Sequence, residues 1–551
     1  MSTFKFVAIL TALLAAAMSL DARADRRTVC TITVNSPDER EMFRRSLPDD
    51  DFQFVELVER GRPDWLASAC RQGIKCDVLL ISGHFDSGTE FYSDRVDARE
   101  FLPVSEMERV SCSDSCPGLF SQLKEVYLFG CNTLNAATLE STAAEIARSL
   151  VRSGHSHADA ERLAQVLNDR HVESNRDGMR RIFPNVPVIY GFSGQAPLGP
   201  VAATHLDRYF QATSAAEVGS GRTSPALLGY FGAHSMTVTS GLGDADSRAG
   251  YRQEVCRFVD DRLPTAQKLR FIHELLGREM AEVRMFFERV ERFLAAMPEA
   301  ERRMPPVAEA LSEIERDHPA RERYLAFARD VDRPPVRVRM LHVAGTLGWL
   351  SPADERAETV RMIGDRLASR ALDSADVDLI CSLNPNGALD VDTTQFKLSV
   401  LQAGDVAHSA VLACLGNGAS RARVLQALVG RDERELGIAQ VYLRHRPLAD
   451  PGELRMVARG IARMTVPDAQ VRALDTLSRQ YVSDRESLAA LTGYFPRARS
   501  VNVQRAIAGV LIRADYRSIA KPELVLMLRQ HRIKSPDGQD LIDVLIRRLQ
   551  A

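Results

Sequence analysis

Lysine is scarce in this chain of 551 residues: seven of the 71 basic side chains are Lys (Lys5, Lys75, Lys124, Lys268, Lys397, Lys521 and Lys534), and the rest are Arg. Neither sign of charge is in surplus, with a formal net charge of −2. That balance lacks the electrostatic footprint of a protein that binds nucleic acid or a membrane surface. After the first twenty residues no run is long and apolar enough to span a bilayer. No two cysteines stand at the two-residue spacing of a zinc knuckle, and His84 is the only histidine near the cluster from Cys70 to Cys116. A metal site is not expected there, and no motif asks for a cofactor.

What is present begins with an export signal. Lys5 supplies the positive flank, Phe6 to Leu20 the apolar stretch, and Ala22-Arg23-Ala24 a small-x-small cleavage site before Asp25. The apolar stretch is shorter than the roughly 20 residues of a spanning helix. Residues 1–24 are thus expected to be removed, leaving a mature protein in the periplasm or outside the cell, with no membrane attachment beyond the signal.

Nine cysteines are present, at Cys30, Cys70, Cys76, Cys112, Cys116, Cys131, Cys256, Cys381 and Cys414. In an oxidising compartment an odd count leaves at least one thiol unpaired, and Cys131 is the candidate. Cys112 and Cys116 flank a polar turn and could close a small loop. Cys381 and Cys414 stand among apolar helical residues and read as buried thiols.

Residues 25–212 alternate strand-like and helix-like stretches, the pattern of a doubly wound α/β fold with a mostly parallel sheet. Strands are expected at Val29–Val34, Phe52–Val58, the runs before His84 and Cys131, and Val186–Tyr190. Residues 213–255 are rich in Gly, Ser and Thr and read as a linker or irregular extension. From 256 to 333 the chain turns helical. Leu269, Ile272, Leu276, Met280, Val283, Phe287, Val290 and Leu294 recur at three and four residues, which predicts one amphipathic helix of about seven turns. Residues 334–551 look repetitive, with apolar helices opening near Glu435, Val471 and Val503. Such spacing suits an all-α array of paired helices, and the segment resembles HEAT repeats; a non-repetitive bundle is the competing reading.

Two short apolar runs each deliver a chemically capable side chain. Val78-Leu79-Leu80-Ile81-Ser82-Gly83 leads to His84, and Val126-Tyr127-Leu128-Phe129-Gly130 leads to Cys131. Both have the length and branching of a buried parallel strand, and the C-terminal edge of such a sheet is where ligands bind. Gly130 permits close approach of backbone and substrate. A buried structural thiol is the bland reading of Cys131. A second strand ending in a histidine favours a nucleophile and base.

The runs VLLISGH and VYLFGCNT resemble those of the caspase-like cysteine peptidases, a group that includes caspases, gingipains, separases and CHAT domains; GCNT is closest to the CHAT and bacterial branch. VPVIYGFSG resembles that family's following strand. The resemblance implies a cysteine endopeptidase acting on a protein or peptide substrate, with Cys131 as nucleophile and His84 as general acid and base. It implies backbone amides of Phe85 and Cys131 as oxyanion donors, and a substrate pocket bounded by Asp86, Phe192, Ser193 and Gln195. Acids near the histidine, Asp86, Glu90 and Asp94, would favour a basic side chain before the cut. The sequence departs from the family where a glycine normally follows the histidine: Phe85 stands there, and the glycine is Gly83. The polar insert 153–181 is expected to be self-cleaved near Arg180 or Arg181. The helical array would supply a surface for a protein partner; a silent peptidase-like scaffold is the alternative.

Three other motifs fail. His273-Glu274-Leu275-Leu276 lacks the second metal-binding histidine, since Gly277 takes its place. Gly191-Phe192-Ser193-Gly194 lacks the glycine spacing of a serine hydrolase elbow. Gly219-Ser220-Gly221-Arg222-Thr223-Ser224 has no P-loop lysine.

Overall fold

The computed structural model describes residues 26–550 apart from 58–64, 86–87, 95–99, 114–115, 117, 139–142, 172, 369–370, 390, 397–401, 403, 515–518, 520–521 and 535–539. The expected signal sequence and Asp86 lie outside the described residues. The chain divides into two compact units, residues 1–327 and 328–551.

The first unit is built on a six-stranded sheet. In chain order its elements are β1 (Arg27–Thr33), α1 (Asp38–Ser46), β2 (Phe52–Glu56), α2 (Trp65–Arg71), β3 (Val78–Ser82), β4 (Glu90–Tyr92), β5 (Phe101–Pro103), α3 (Val104–Cys112) and β6 (Glu125–Phe129). There follow α4 (Ala143–Arg152), α5 (His157–His171), α6 (Asn175–Ile182), β7 (Val188–Phe192), α7 (Gly199–Ala212), α8 (Pro225–Tyr230) and β8 (Met236–Thr239). The strand order is β2-β1-β3-β6-β7-β8, with β4 and β5 forming a separate antiparallel pair. All neighbours in the main sheet are parallel except β7 and β8.

Side chains alternate between the two faces of these strands. Leu79, Ile81, Val126 and Leu128 join a core with Leu66 of α2, Met107 of α3 and Met179 of α6. Val78, Leu80, Tyr127 and Tyr190 point the other way, toward Phe43 of α1 and Leu206 and Tyr209 of α7. Helices on both faces explain why β3, β6 and β7 are buried along their whole length.

Residues 213–255 are not a linker. They carry α8 and β8, and Val218, Leu227 and Phe231 are buried in the core beside α7. The Gly-rich loop within them wraps a carboxylate: the amides of Gly219 and Gly221 donate to Glu125 at 2.9 and 3.0 Å, and Tyr127 donates to it at 2.7 Å. Its glycines and polar residues thus satisfy a buried acid, and the chain shows no helical period because its local structure is short turns.

The predicted seven-turn helix is two helices, α9 (Ala249–Val259) being followed by α10 (Thr265–Leu276) and α11 (Met280–Ala296). Gly277, a poor helix former, ends α10, and the periodic positions continue on both sides because both helices bury one face. These helices belong to the first unit. Arg289 of α11 donates to Glu108 of α3 at 2.8 Å, Arg284 lies 3.4 Å from Glu145 of α4, and a disulfide joins Cys112 to Cys256. Burial opposes ionisation of Glu108, but Arg181 and Arg289 outweigh it and pull the carboxyl down to about 2.

Three further disulfides pair Cys30 with Cys76, Cys70 with Cys116, and Cys381 with Cys414. The small loop between Cys112 and Cys116 is therefore not closed, because each residue faces a partner on a different element. Cys381 and Cys414 are bonded rather than reduced. Cys131 alone is free. Among the described residues no helix is long and apolar enough to cross a membrane.

The second unit is helical. Helices beginning at Gly418, Pro451 and Arg485 alternate with helices beginning at Glu433, Pro467 and Val501, a period of about 34 residues typical of paired-helix repeats. Arginines at equivalent positions each pair with an acid near the start of the following repeat, though not the equivalent acid, and equivalent glutamines repeat their bonds outright. Arg421 donates to Glu453 and Arg455 to Asp484, at 2.6 and 2.9 Å. Buried Gln470 and Gln504 donate to the carbonyls of Ile461 and Phe495, at 2.7 and 3.2 Å.

Candidate active site

Ser82 of β3 stands opposite Phe129 of β6 in the parallel register. The two chains leave the sheet side by side, and His84 and Cys131 are the second residue out of each. The amide of Gly83 donates to the Phe129 carbonyl at 3.1 Å, tying the two exits together. His84 then pairs with Tyr92 through both backbone groups at 2.9 Å, and its ring tilts over the tyrosine with centroids 5.4 Å apart.

The imidazole is held by groups from two loops. Asn35, just past β1, brings its side-chain amide 3.1 Å from Nε2, and Asp94 brings a carboxylate oxygen 3.5 Å from the same atom. The contact from Asn35 is made by its amide nitrogen, a donor that Nε2 can meet as an acceptor, whereas the Asp94 carboxylate pairs with Nε2 when the ring is protonated. Nδ1 has no hydrogen bond among the described residues.

Cys131 is partly exposed, and its Sγ accepts the Ala196 N–H at 3.3 Å. Among the described residues no hydrogen bond joins Sγ to the His84 ring; such contacts commonly tighten only when substrate is bound. Gly130 is required by packing, since a Cβ there would come within 2.8 Å of the Gly83 carbonyl and of Phe85 Cβ. The space it leaves is filled by protein rather than kept for substrate. Asn132 turns the chain sharply with φ 60°. Its amide donates to the Gly194 carbonyl at 2.7 Å, and its carbonyl accepts from Asn175 at 3.0 Å.

The amides of Phe85 and Cys131 donate no hydrogen bond among the described residues. Backbone N–H groups without a partner among the described residues are open to an external acceptor. The Phe85 side chain is buried against Phe91, with centroids 4.6 Å apart, so it is directed into the core rather than over the thiol.

The residues expected to bound the pocket are placed differently from one another. Ser193 and Gln195 are exposed in the loop after β7, next to the Cys131 contact at Ala196. Phe192 is no wall: it is fully buried between Phe129 and Phe231, at 6.2 and 6.0 Å, because the strand alternation turns it toward the helices. Asp86 lies outside the described residues. Arg180 and Arg181 are poor cleavage sites. Both lie within α6, where Arg180 pairs with Asp246 and Arg181 is buried against Glu108; a helical, engaged segment cannot enter a cleft in extended form.

Asn35 and Ala196 were not among the expected site residues. Asn35 could have been found by the rule that singled out His84, since it is the first polar residue after the apolar run of β1. Ala196 acts through its backbone and leaves no side-chain signal. A buried acid also stands near this edge. Glu39 of α1 accepts from Ser82 Oγ at 3.0 Å, and burial pushes its carboxyl up to about 7.

No family model matches the chain, and no curated protein matches it in sequence.

Proposed function

We propose that the chain is an exported cysteine endopeptidase of the caspase-like kind, with Cys131 as nucleophile and His84 as general acid and base. The observation that carries this reading is the placement of those two residues just past the ends of adjacent parallel strands, with the amides of Phe85 and Cys131 donating no hydrogen bond among the described residues.

In the proposed reaction the Cys131 proton passes to the His84 ring, and Sγ attacks the peptide carbonyl carbon. The oxyanion of the tetrahedral intermediate accepts from the amides of Phe85 and Cys131. His84 returns the proton to the departing nitrogen as the C–N bond breaks, leaving a thioester on Cys131. Water then adds to the thioester, giving one proton to His84, and the acid product leaves as the thiol is restored. Asn35 and Asp94 hold the ring on its Nε2 side throughout. The four disulfides support an oxidising compartment, and the helical array, read as HEAT-like, would present a protein partner or substrate.

A silent scaffold is the second reading, favoured by the lack, among the described residues, of a hydrogen bond between Sγ and the His84 ring. The test is a proteome-derived peptide library incubated with residues 25–551, wild type beside Cys131→Ala, with new termini read by mass spectrometry. Cuts made only by wild type support the peptidase. No cuts by either protein reject it.

A further inference from the structure

Two loops flank the candidate dyad, and each holds one half of it. The loop from β1 to α1 carries Asn35, which contacts His84 Nε2 at 3.1 Å. The loop from β7 to α7 carries Gly194 and Ala196, which grip the other half: Gly194 accepts from the Asn132 amide at 2.7 Å, and the Ala196 amide donates to Cys131 Sγ at 3.3 Å. The loops meet at one point. Gly199, the first residue of α7, lies so close to α1 that a Cβ there would overlap Ser36 Oγ and come within 2.6 Å of Asp38 Oδ2. Ser36 and Asp38 are themselves joined, Oγ donating to the carboxylate at 2.7 Å. A side chain at this position would force Ser36 and Asp38 to move.

We propose that the β7–α7 loop is a third element of the nucleophile, in which the Ala196 N–H stabilises the Cys131 thiolate and the Gly199 contact with Ser36 and Asp38 keeps that donor within reach. An N–H aimed at sulfur favours the charged form because the bond is stronger to a thiolate than to a neutral thiol. The donor belongs to a backbone whose position is set two ways, by Gly194 at the cysteine and by Gly199 at the opposite loop. Gly199 is a positioning residue, acting only through Ala196. The contact also explains a sequence feature: Gly199-Pro200 opens a helix whose N-cap, Leu198, supplies no side-chain bond, so this helix start is shaped by packing rather than by capping.

The proposal rests on reading Cys131 as the nucleophile, yet its test uses no peptide cleavage, so the two fail separately. Wild type, Gly199→Ala and the pair Gly199→Ala/Ser36→Gly are treated with iodoacetamide at pH 6.5, and labelling of Cys131 is followed by mass spectrometry. Gly199→Ala should label about tenfold more slowly, the loss of one hydrogen bond to a charged group, and the second substitution should restore most of the rate by making room. A folded Gly199→Ala that labels at the wild-type rate overturns the proposal. Cys131→Ala gives a check free of steric strain. It removes only the acceptor, so hydrogen exchange of the backbone from Gly194 to Gly199 should quicken, and unchanged exchange there also overturns the proposal.

Discussion

Asn35 and His84 meet side chain to side chain, with the amide 3.1 Å from Nε2 and the Asp94 carboxylate 3.5 Å from the same nitrogen. The contact joins the end of β1 to the exit of β3, so the orientation of the imidazole is fixed from the neighbouring strand. Asn35 works by holding the plane of the ring through its amide nitrogen. Asn35→Ala should lower kcat by about 10–100-fold, with KM little changed because no substrate contact is lost. An unchanged kcat in a folded variant would remove Asn35 from the mechanism.

Glu39 makes stability depend on pH in a defined direction. Its carboxyl is raised by burial from 4.5 to about 7, so the folded chain holds a proton that the unfolded chain releases. The stabilisation is whole below about pH 4.5 and is lost as pH climbs through 7, by about 3 kcal/mol for a shift of this size. Glu39→Gln should flatten that fall in urea midpoints measured between pH 5 and 8. An identical fall in the variant would show that another group titrates there.

Titration with a thiol reagent tests the cysteine arrangement. Native, unreduced protein should yield one reactive thiol, absent from Cys131→Ala, because the other eight are paired. Reduction in denaturant should raise the count to nine. Two or more thiols before reduction would mean that one of the four bonds does not form.

The placement of His84 and Cys131 was legible because a buried parallel strand has a distinctive composition and its exit is marked by the first polar residues. The odd count required an unpaired thiol, and the candidate, Cys131, is the one left free. Other features were hidden for physical reasons. A sixth strand of four half-buried residues, Met236–Thr239, carries too little apolar signal to stand out. Disulfide partners depend on which elements stack, as Cys112 with Cys256 shows across 144 residues. The break at Gly277 preserves the helical period on both sides, so periodicity alone reads through it. Phe192 sits one residue before exposed Ser193, and only the pleat decides which of the two faces solvent.

The helices after β8 are part of the first unit, and a truncation can show it. Glu108 of α3 is buried and paired with two arginines, Arg181 from α6 and Arg289 from α11. Ending the chain at residue 255 would delete Arg289, Arg284 and Cys256 together. Arg181 and Glu108 would lose their cover, and Cys112 would be left with no partner. Glu108 would keep Arg181 but lose Arg289, and removing one partner of a buried ion-pair group typically costs about 3–5 kcal/mol. The lost disulfide joins residues 144 apart in sequence, for which chain entropy gives about 5 kcal/mol. Both figures are comparable to the whole stability of a domain. Residues 25–327 should therefore give a protease-resistant, cooperatively unfolding protein, while residues 25–255 should not. The point variant Arg289→Met separates the charge from the chain length: its urea midpoint should fall, with the sheet and the free Cys131 thiol intact. If residues 25–255 fold as stably as 25–327, the ion pairs around Glu108 contribute little and the unit ends at β8.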